Sequence, residues 1–255
     1  MEIRGNFDGI ANKFDANIYG TSKGRLRHQL LLHHLSSFID SNALNVLDIG
    51  AGTGVMSAEF AQKGHHVSLV DISKDALKIA ENRLNDAKNV EIYNMSFDGF
   101  VSNYKTKPAK SYDLILCHAL LEWLENPFDA IDQALSLLDK NGVLSLSFFN
   151  QDAKAFNNLI YGNFDYVING MPHKNTVRLN PHNAQSAQVV IKWLEGRSDL
   201  SIVKQSGIRC IHDYLQKKES IVNDYQRLFE LEIEYGSQVP FMWLGKYFHV
   251  IIHKL

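Results

Sequence analysis

Residues 44–56 read LNVLDIGAGTGVM, an apolar run that contains Asp48 and leads into three glycines at alternate positions. The apolar part predicts a strand buried on both faces, as in a parallel sheet. Gly50, Gly52 and Gly54 carry no Cβ, so the backbone can turn sharply there and approach a ligand closely. The helix expected next would present unpaired N–H groups beside that ligand. The segment therefore predicts a strand, a ligand-binding loop and a helix.

A second apolar stretch, HHVSLVDIS, predicts a strand that closes on Asp71, about 20 residues beyond the loop. An acidic residue at this place suits the hydroxyls of a ribose, which both NAD and S-adenosylmethionine (SAM) carry. NAD-binding folds favour G-x-G-x-x-G, whereas this loop reads G-x-G-x-G. That spacing, preceded by Asp48, resembles motif I of class I SAM-dependent methyltransferases.

The composition excludes several classes of protein. The chain has 255 residues, 45% of them hydrophobic, and a net charge of −2, so overall basicity does not indicate a nucleic-acid partner. Two cysteines in separate segments give no disulfide framework, which favours a reducing compartment. We find no signal peptide and no apolar run long enough for a membrane span, so we expect a cytoplasmic protein.

Strand and helix patterns alternate along the chain and predict an α/β fold, with a doubly wound, mostly parallel sheet and helices on both faces. We expect one domain over residues 1–255, with an N-terminal arm and helix at 1–42. Predicted strands lie at 44–49, 66–71, 90–95, 112–117, 143–150, 200–210 and 247–255. Predicted helices lie at 24–40, 53–64, 73–85, 127–138, 186–196 and 217–236.

The alternation stops after Asn150, in a segment at about 151–185 that is rich in asparagine and aromatic residues. An insert at the carboxyl end of a strand lies where open α/β sheets bind ligands. It either covers a substrate or packs as a surface lobe.

Few side chains suggest direct chemistry. His118 ends the fourth predicted strand, on the ligand side of the sheet, and contacts a cofactor or substrate or else stabilises the turn. The ligand spacing of a zinc site is absent, and no metal is expected. Cys117 has no neighbouring base pattern, and no nucleophile elbow is present, so covalent catalysis is not expected.

Five segments carry a more specific resemblance. They are NFDGIANKFDANIYGTSKGRLR at 6–27, CHALLEW at 117–123, GNFDYVINGMP at 162–172, HDYL at 212–215 and LGKYFHV at 244–250. Together they resemble the bacterial tRNA 5-carboxymethoxyuridine methyltransferases. The resemblance implies a SAM-dependent enzyme that methylates the carboxylate of 5-carboxymethoxyuridine at the wobble position of tRNA. It also implies a tRNA anticodon stem-loop as partner.

The loop motif and the resemblance together imply the cofactor-binding residues, with Ala51 standing where the family has glycine. These residues are Arg27, Asp48, Gly50, Ala51, Gly52, Gly54, Asp71, Ile72, Phe97 and His118. Tyr19, Arg25 and Tyr166 are hypotheses for positioning the substrate. A carboxylate is ionised at neutral pH, so no catalytic base is expected.

Three other functions stay open at this stage. A SAM-dependent O-methyltransferase for a small carboxylic acid would share every cofactor residue. A non-catalytic SAM- or RNA-binding module would keep the fold alone. An NAD-dependent oxidoreductase is the third, and the glycine spacing argues against it.

Overall fold

The structure is a computed structural model that describes residues 7–104, 111–172 and 181–255, without the side chains at 14 and 17–19. Strands β1 to β7 are Asn45–Ile49, His66–Asp71, Val90–Asn94, Tyr112–His118, Leu138–Phe149, Leu200–Ile208 and Tyr247–Lys254. Helices α1 to α11 are Ala11–Tyr19, Ser22–Ile39, Val55–Gln62, Lys74–Arg83, Phe97–Tyr104, Pro127–Leu137, Gln151–Ile160, Phe164–Ile168, Ala187–Glu195, Ser220–Asn223 and Tyr225–Gly236. Short 3-10 turns occupy Leu121–Trp123, His212–Tyr214 and Phe241–Leu244.

The strands form one seven-stranded sheet in the order β3-β2-β1-β4-β5-β7-β6. Strands β1 to β5 pair in parallel, and β7 is antiparallel to both β5 and β6. The predicted doubly wound, mostly parallel sheet is confirmed. The strand order reverses between β1 and β4, and the carboxyl edge at such a reversal is where open α/β sheets bind ligands.

Both faces of the sheet are buried, which explains the continuous apolar runs in the sequence. Along β4, Leu114 and Leu116 join a hydrophobic cluster that contains residues of α2 and α3. Ile115 and Cys117, which point the other way, join the cluster that contains residues of α6 and α9. Alternate residues of one strand thus fill two cores, and the central strands are fixed from both sides.

Two predicted boundaries differ from the structure. Strand β5 begins at Leu138 rather than at residue 143, and it contains an irregularity at Asn141, which has a φ of 66°, where the register with β4 shifts. The single helix predicted at 217–236 is two helices, α10 and α11, separated at Asp224. Asp224 has a φ of −119°, outside the helical range.

Helices α1, α5, α7 and α8 were not predicted. Helix α5 holds Gly99 and several weak helix formers, but its apolar residues at 97, 100, 101 and 104 have helical spacing, and Phe100 and Val101 are buried. Helices α7 and α8 lie in the insert, where asparagines and glycines hide the helical pattern. Tertiary packing and capping outweigh residue propensity in these segments.

Gly52 and Gly54 provide a matched test of the loop backbone. Both have positive φ, 55° and 71°, but a Cβ on Gly54 would lie 2.9 Å from the Cβ of Ala80, whereas one on Gly52 would meet nothing within 4 Å. We expect Gly52→Ala to lower the free energy of unfolding by about 1 kcal/mol, for the left-handed backbone alone. Gly54→Ala should cost about 1–3 kcal/mol more because of crowding. Urea unfolding of both variants measures this, and equal losses would contradict the packing argument.

Candidate active site

The glycine loop joins the end of β1 to α3 at the carboxyl edge of the sheet. The Gly50 N–H donates to the carbonyl of Val70 at 2.8 Å, which holds the loop against β2. A Cβ added to Gly50 would crowd the side chain of Leu120 at 3.1 Å, whereas the Cβ direction of Gly52 is open. The loop is therefore packed on one side and free on the other, where a ligand can approach.

Two buried acids support this loop. The Asp71 carboxylate accepts hydrogen bonds from the N–H of Gly52 at 2.8 Å and from the N–H of Ser73 at 2.7 Å. Asp48 accepts from the Ser57 hydroxyl at 2.6 Å, and burial raises the pKa of Asp48 to about 6. Burial also raises the pKa of Asp71, while its backbone N–H donors oppose the rise. Asp71, predicted from the sequence to end the second strand, thus binds the backbone of the glycine loop.

Ile72 and Phe97 flank the edge on the β2 and β3 side. The Asn94 side-chain amide donates to the carbonyls of Asp71 and Ile72, each at 3.1 Å, and Phe97 starts α5 just beyond β3. Both Ile72 and Phe97 are partly exposed, so their apolar side chains are accessible beside Asp71.

The N-terminal arm lies against the glycine loop and α4. Asp15 on α1 accepts a short hydrogen bond from the Thr53 hydroxyl and pairs with Arg83 at 3.2 Å. Asp8 accepts from the Ser73 hydroxyl at 2.8 Å, and the ring of Phe7 meets Trp123 edge-on at 5.8 Å between centroids. The arm therefore extends from α4 to the turn after β4 and borders the carboxyl edge.

On the β4 side, the charge of Arg27 acts on both His118 and Glu122. Arg27 on α2 lies over the ring of Tyr247 at 4.7 Å. His118 ends β4 and is hydrogen-bonded to Ser145 at 2.8 Å. Burial, followed by the charge of Arg27, lowers the pKa of His118 to about 3, so His118 is neutral.

Glu122 is a site residue that the sequence reasoning did not single out. It is 1% exposed, and its Oε2 has no hydrogen-bond partner among the described residues. Burial raises its pKa to about 7, although backbone N–H groups and the charge of Arg27 act in the opposite direction. A buried carboxyl with a free oxygen beside a guanidinium is an arrangement found at binding and catalytic sites.

A group of basic side chains follows on the β7 side; we call Lys23, Lys154, Arg209 and Lys246 the basic cluster. Burial lowers the pKa of Lys246, and the charges of the other three members lower it further. Asp213 opposes this effect, but it already pairs with Arg209, whose Nε lies 2.7 Å from its Oδ2. The cluster therefore carries an excess of positive charge.

Two of the three predicted substrate residues have described contacts, and these contacts lie in different places. Tyr166, on α8, lies with its ring centroid 5.7 Å from the Nζ of Lys154, at the basic cluster. Arg25 stacks on Tyr225 of α11 at 3.7 Å, whereas Arg27 faces Tyr247, so the structure does not bring Arg25 to the basic cluster. Tyr19 ends α1, and its side chain lies outside the described part of the chain.

Comparison with known proteins gives the family. Residues 23–193 match the family described as a methyltransferase domain. Over 255 residues the chain is 38% identical to the tRNA 5-carboxymethoxyuridine methyltransferase of Escherichia coli (strain K12), covering 98% of this chain and 96% of that protein. The chain belongs to the tRNA 5-carboxymethoxyuridine methyltransferase family.

More distant relatives agree. The methyltransferase is 31% identical over 128 residues to the ubiquinone biosynthesis O-methyltransferase of Glaesserella parasuis serovar 5 (strain SH0165), covering 50% of this chain and 54% of that protein. The crystal structure of magnesium protoporphyrin IX methyltransferase from Synechocystis PCC 6803 with bound S-adenosylhomocysteine aligns with a TM-score of 0.61 at 17% identity, covering 99% and 97% of the two chains. The predicted family and the class I methyltransferase fold are confirmed.

The described part of the methyltransferase has neither a candidate metal site nor a candidate membrane span. Among residues 7–104, 111–172 and 181–255, no three His, Cys, Asp or Glu side chains are grouped so that they could hold a metal ion. Within the same residues, every helix is too short or too polar to cross a membrane.

Glu122→Gln tests the buried carboxyl of the methyltransferase through the pH dependence of stability. The folded pKa of about 7 exceeds the ordinary 4.5, so the unfolded chain loses this proton first, and the free energy of unfolding falls as pH rises from about 4.5 to 7. Glu122→Gln has no carboxyl proton at this position, so its free energy of unfolding should not fall for this reason. From pH 4 to pH 8 its free energy of unfolding should gain about 3 kcal/mol relative to wild type in urea titrations. Glu195→Gln, at an exposed position, is the control, and a pH-independent difference for Glu122→Gln would contradict the assignment.

Proposed function

We propose that this methyltransferase transfers a methyl group from SAM to the carboxylate of 5-carboxymethoxyuridine at the wobble position of tRNA. The products are the methyl ester and S-adenosylhomocysteine. The observation that carries the proposal is the basic cluster, because a chain with a net charge of −2 places excess positive charge at the carboxyl edge of its sheet. The name of the 38% identical relative supports the same substrate.

The residues at the glycine loop fit SAM. The open side of Gly52 leaves room for a ligand against the backbone, and each Asp71 oxygen retains acceptor capacity for a ribose hydroxyl. Ile72 and Phe97 would contact the base, and the guanidinium of Arg27 suits the carboxylate of the methionine part. We infer that the predicted cofactor residues, including Asp48 as a buried support of the loop, bind SAM.

The reaction requires the protein to align the methyl donor with the acceptor carboxylate, and it requires no proton transfer. SAM, when bound, supplies an electrophilic methyl group on a positively charged sulfur. The acceptor carboxylate has a pKa near 4 and is ionised at neutral pH, so the chain needs no general base. Held alignment can contribute roughly 7–11 kcal/mol to lowering the barrier. Burial lowers the pKa of His118 to about 3 and so makes this histidine a weak base, in agreement with a site in which no proton is abstracted.

Lys246 and Arg209 are the side chains that we infer to position the substrate carboxylate or an adjoining phosphate. Both are partly or fully buried, and Lys246 Nζ also lies 4.9 Å from the ring of Phe149. Partial removal from water strengthens their attraction for an anion. Tyr166 beside Lys154 remains a proposed contact, and Tyr19 and Arg25 remain proposals without a described contact at this cluster.

The insert offers a surface that suits an anticodon stem-loop. Tyr161 and Phe164 are 75% and 58% exposed, and both lie on the same insert as Lys154 and Tyr166. Exposed aromatic rings next to cations bind splayed bases by stacking and attract phosphates. This supports the insert as a substrate-covering element and tRNA as the partner, and with tRNA as substrate we propose a cytoplasmic location.

Nucleoside mass spectrometry tests the substrate. We expect tRNA from cells that lack this protein to accumulate 5-carboxymethoxyuridine and to lose its methyl ester, because the proposed methylation step is blocked. Adding purified protein and SAM to that tRNA should restore the ester. A small-metabolite extract serves as the alternative acceptor. Methylation of the extract but not of tRNA would indicate a small-acid methyltransferase, and no SAM binding in calorimetry would indicate a non-catalytic module.

Lys246→Met tests the basic cluster while keeping most of the side-chain length. The KM for tRNA bearing 5-carboxymethoxyuridine should rise about 10-fold or more, because a hydrogen bond or ion pair to a charged group is lost. The affinity for S-adenosylhomocysteine should stay unchanged. Lys63→Met is the matched control, since Lys63 is 55% exposed and pairs with Asp40 at 2.7 Å at the end of α3. A wild-type KM in Lys246→Met would exclude this contact.

A further inference from the structure

A continuous series of hydrogen bonds runs from the end of β4 to α2; we call its members, His118, Ser145, His249 and His34, the histidine relay. His118 Nε2 lies 2.8 Å from Ser145 Oγ, and Ser145 Oγ lies 2.8 Å from His249 Nε2. His249 Nδ1 then lies 2.9 Å from His34 Nδ1. All four side chains are buried, Ser145 and His249 completely. The relay thus links the site to a helix on the face of the sheet.

Each histidine of the relay is neutral. Burial, followed by the charges of Arg27 and His28, lowers the pKa of His118 to about 3. Burial and the neighbours His249, Lys204 and His33 lower the pKa of His34 to about 2, and the pKa of His249 is lowered in the same way by burial, His118 and Lys204. A neutral imidazole has one donor nitrogen and one acceptor nitrogen. The direction of one hydrogen bond therefore constrains the next.

The free end of the relay indicates its direction. His118 Nδ1 is buried and has no hydrogen-bond partner among the described residues. A buried N–H without a partner is rarer in proteins than an unused acceptor, so Nδ1 carries the lone pair and Nε2 carries the proton. His118 Nε2–H then donates to Ser145, whose hydroxyl donates to His249 Nε2, and His249 Nδ1–H donates to His34 Nδ1. Every donor from His118 Nε2 to His249 Nδ1 in this arrangement has an acceptor.

The place of His118 in the fold points to a ligand. His118 stands at the carboxyl end of β4, and the next residue, Ala119, has a φ of 57° and donates its N–H to the carbonyl of Ser147 at 2.7 Å. This hydrogen bond fixes the backbone just after His118. The charge of Arg27, a proposed cofactor residue, also acts on the His118 ring.

We propose that Ser145, His249 and His34 are positioning residues that keep His118 protonated at Nε2, so that Nδ1 accepts a hydrogen bond from an N–H or O–H group of the bound methyl donor. The identity of that ligand rests on the proposed function, whereas the direction of the relay does not. The unpaired acceptor in the protein thus becomes paired on binding.

Long-range proton–nitrogen NMR spectra of protein labelled with ¹⁵N-histidine test the relay directly. In wild type, His118, assigned by comparison with His118→Gln, should show a protonated Nε2 and an unprotonated Nδ1, and the Nδ1 signal should shift when S-adenosylhomocysteine binds. If His118 of the wild type is protonated at Nδ1, the proposal is overturned. This outcome does not depend on any variant of the relay.

Ser145→Ala and Ser147→Ala form a matched pair on the same face of β5. Ser147 is also buried, but its hydroxyl has no partner among the described residues. Loss of one relay hydrogen bond should weaken S-adenosylhomocysteine binding roughly 5-fold in Ser145→Ala and give His118 a mixture of tautomers. Ser147→Ala should change neither. Equal behaviour of the two variants, both folded by thermal melting, would overturn the role of Ser145.

The same wild-type preparation is assayed for tRNA methylation. If the NMR and binding results are as expected but tRNA is not methylated, the proposed substrate fails while the relay stands. If tRNA is methylated but Ser145→Ala binds S-adenosylhomocysteine like wild type, the relay proposal fails alone.

Discussion

The carboxylate of Asp71 holds together the pieces of backbone on which the site depends. One oxygen accepts from Gly52 in the loop, and the other accepts from Ser73 at the start of α4. The carbonyl of the same residue accepts from Met95, just after β3. Burying this charge is costly, and the N–H donors offset the cost, so the loop and the carboxylate stabilise each other in one geometry. Removing the acid would release Gly52 of the loop from β2 and would also remove the proposed ligand contact.

The rest of the site is assembled around this point from segments far apart in the chain. The arm supplies Asp8, which accepts a hydrogen bond from the Ser73 hydroxyl, and Asp15, which accepts one from the Thr53 hydroxyl. The opposite side comes from α2, from the turn after β4 and from the residue just before β7, which contribute Arg27, Glu122 and Lys246. Negative side chains therefore tie the arm to the loop, whereas positive side chains gather on the side of β7. This separation of charge is what the proposed binding of a nucleoside on one side and of an anion on the other requires.

The sequence was sufficient for the parts of the fold that have a local signal. The apolar run before Gly50, the apolar stretch that closes on Asp71 and the helix predicted from residue 73 each have a local pattern, and the structure has β1, β2 and α4 at these places, with Ser73 as the cap of α4. The end of the fourth predicted strand indicated His118 and the family resemblance added Arg27, and the two stand near each other in the structure. Local pattern and specific motif therefore predicted the sheet and indicated half of the candidate site.

The other half of the site had no local signal. Glu122 reads as one acid in an amphipathic turn, and only the packing of β4 against α2 shows that it is buried near Arg27. Lys246 and Arg209 are single cations in unrelated segments, brought together because β7 lies beside β6. The apolar residues of α5 had helical spacing that could have been used, whereas the burial of lone charges depends on long-range contacts that one sequence does not display.

The order of the strands has a consequence for how the site comes into being during synthesis. Strand β7 is the last strand in the chain, but it lies between β5 and β6 in the interior of the sheet. A nascent chain released only as far as β6 would lack the residues that join these two strands, and with them the ring on which Arg27 rests. The part of the candidate site that rests on Tyr247 can therefore form only after β7 has been synthesised and has inserted between its two neighbours.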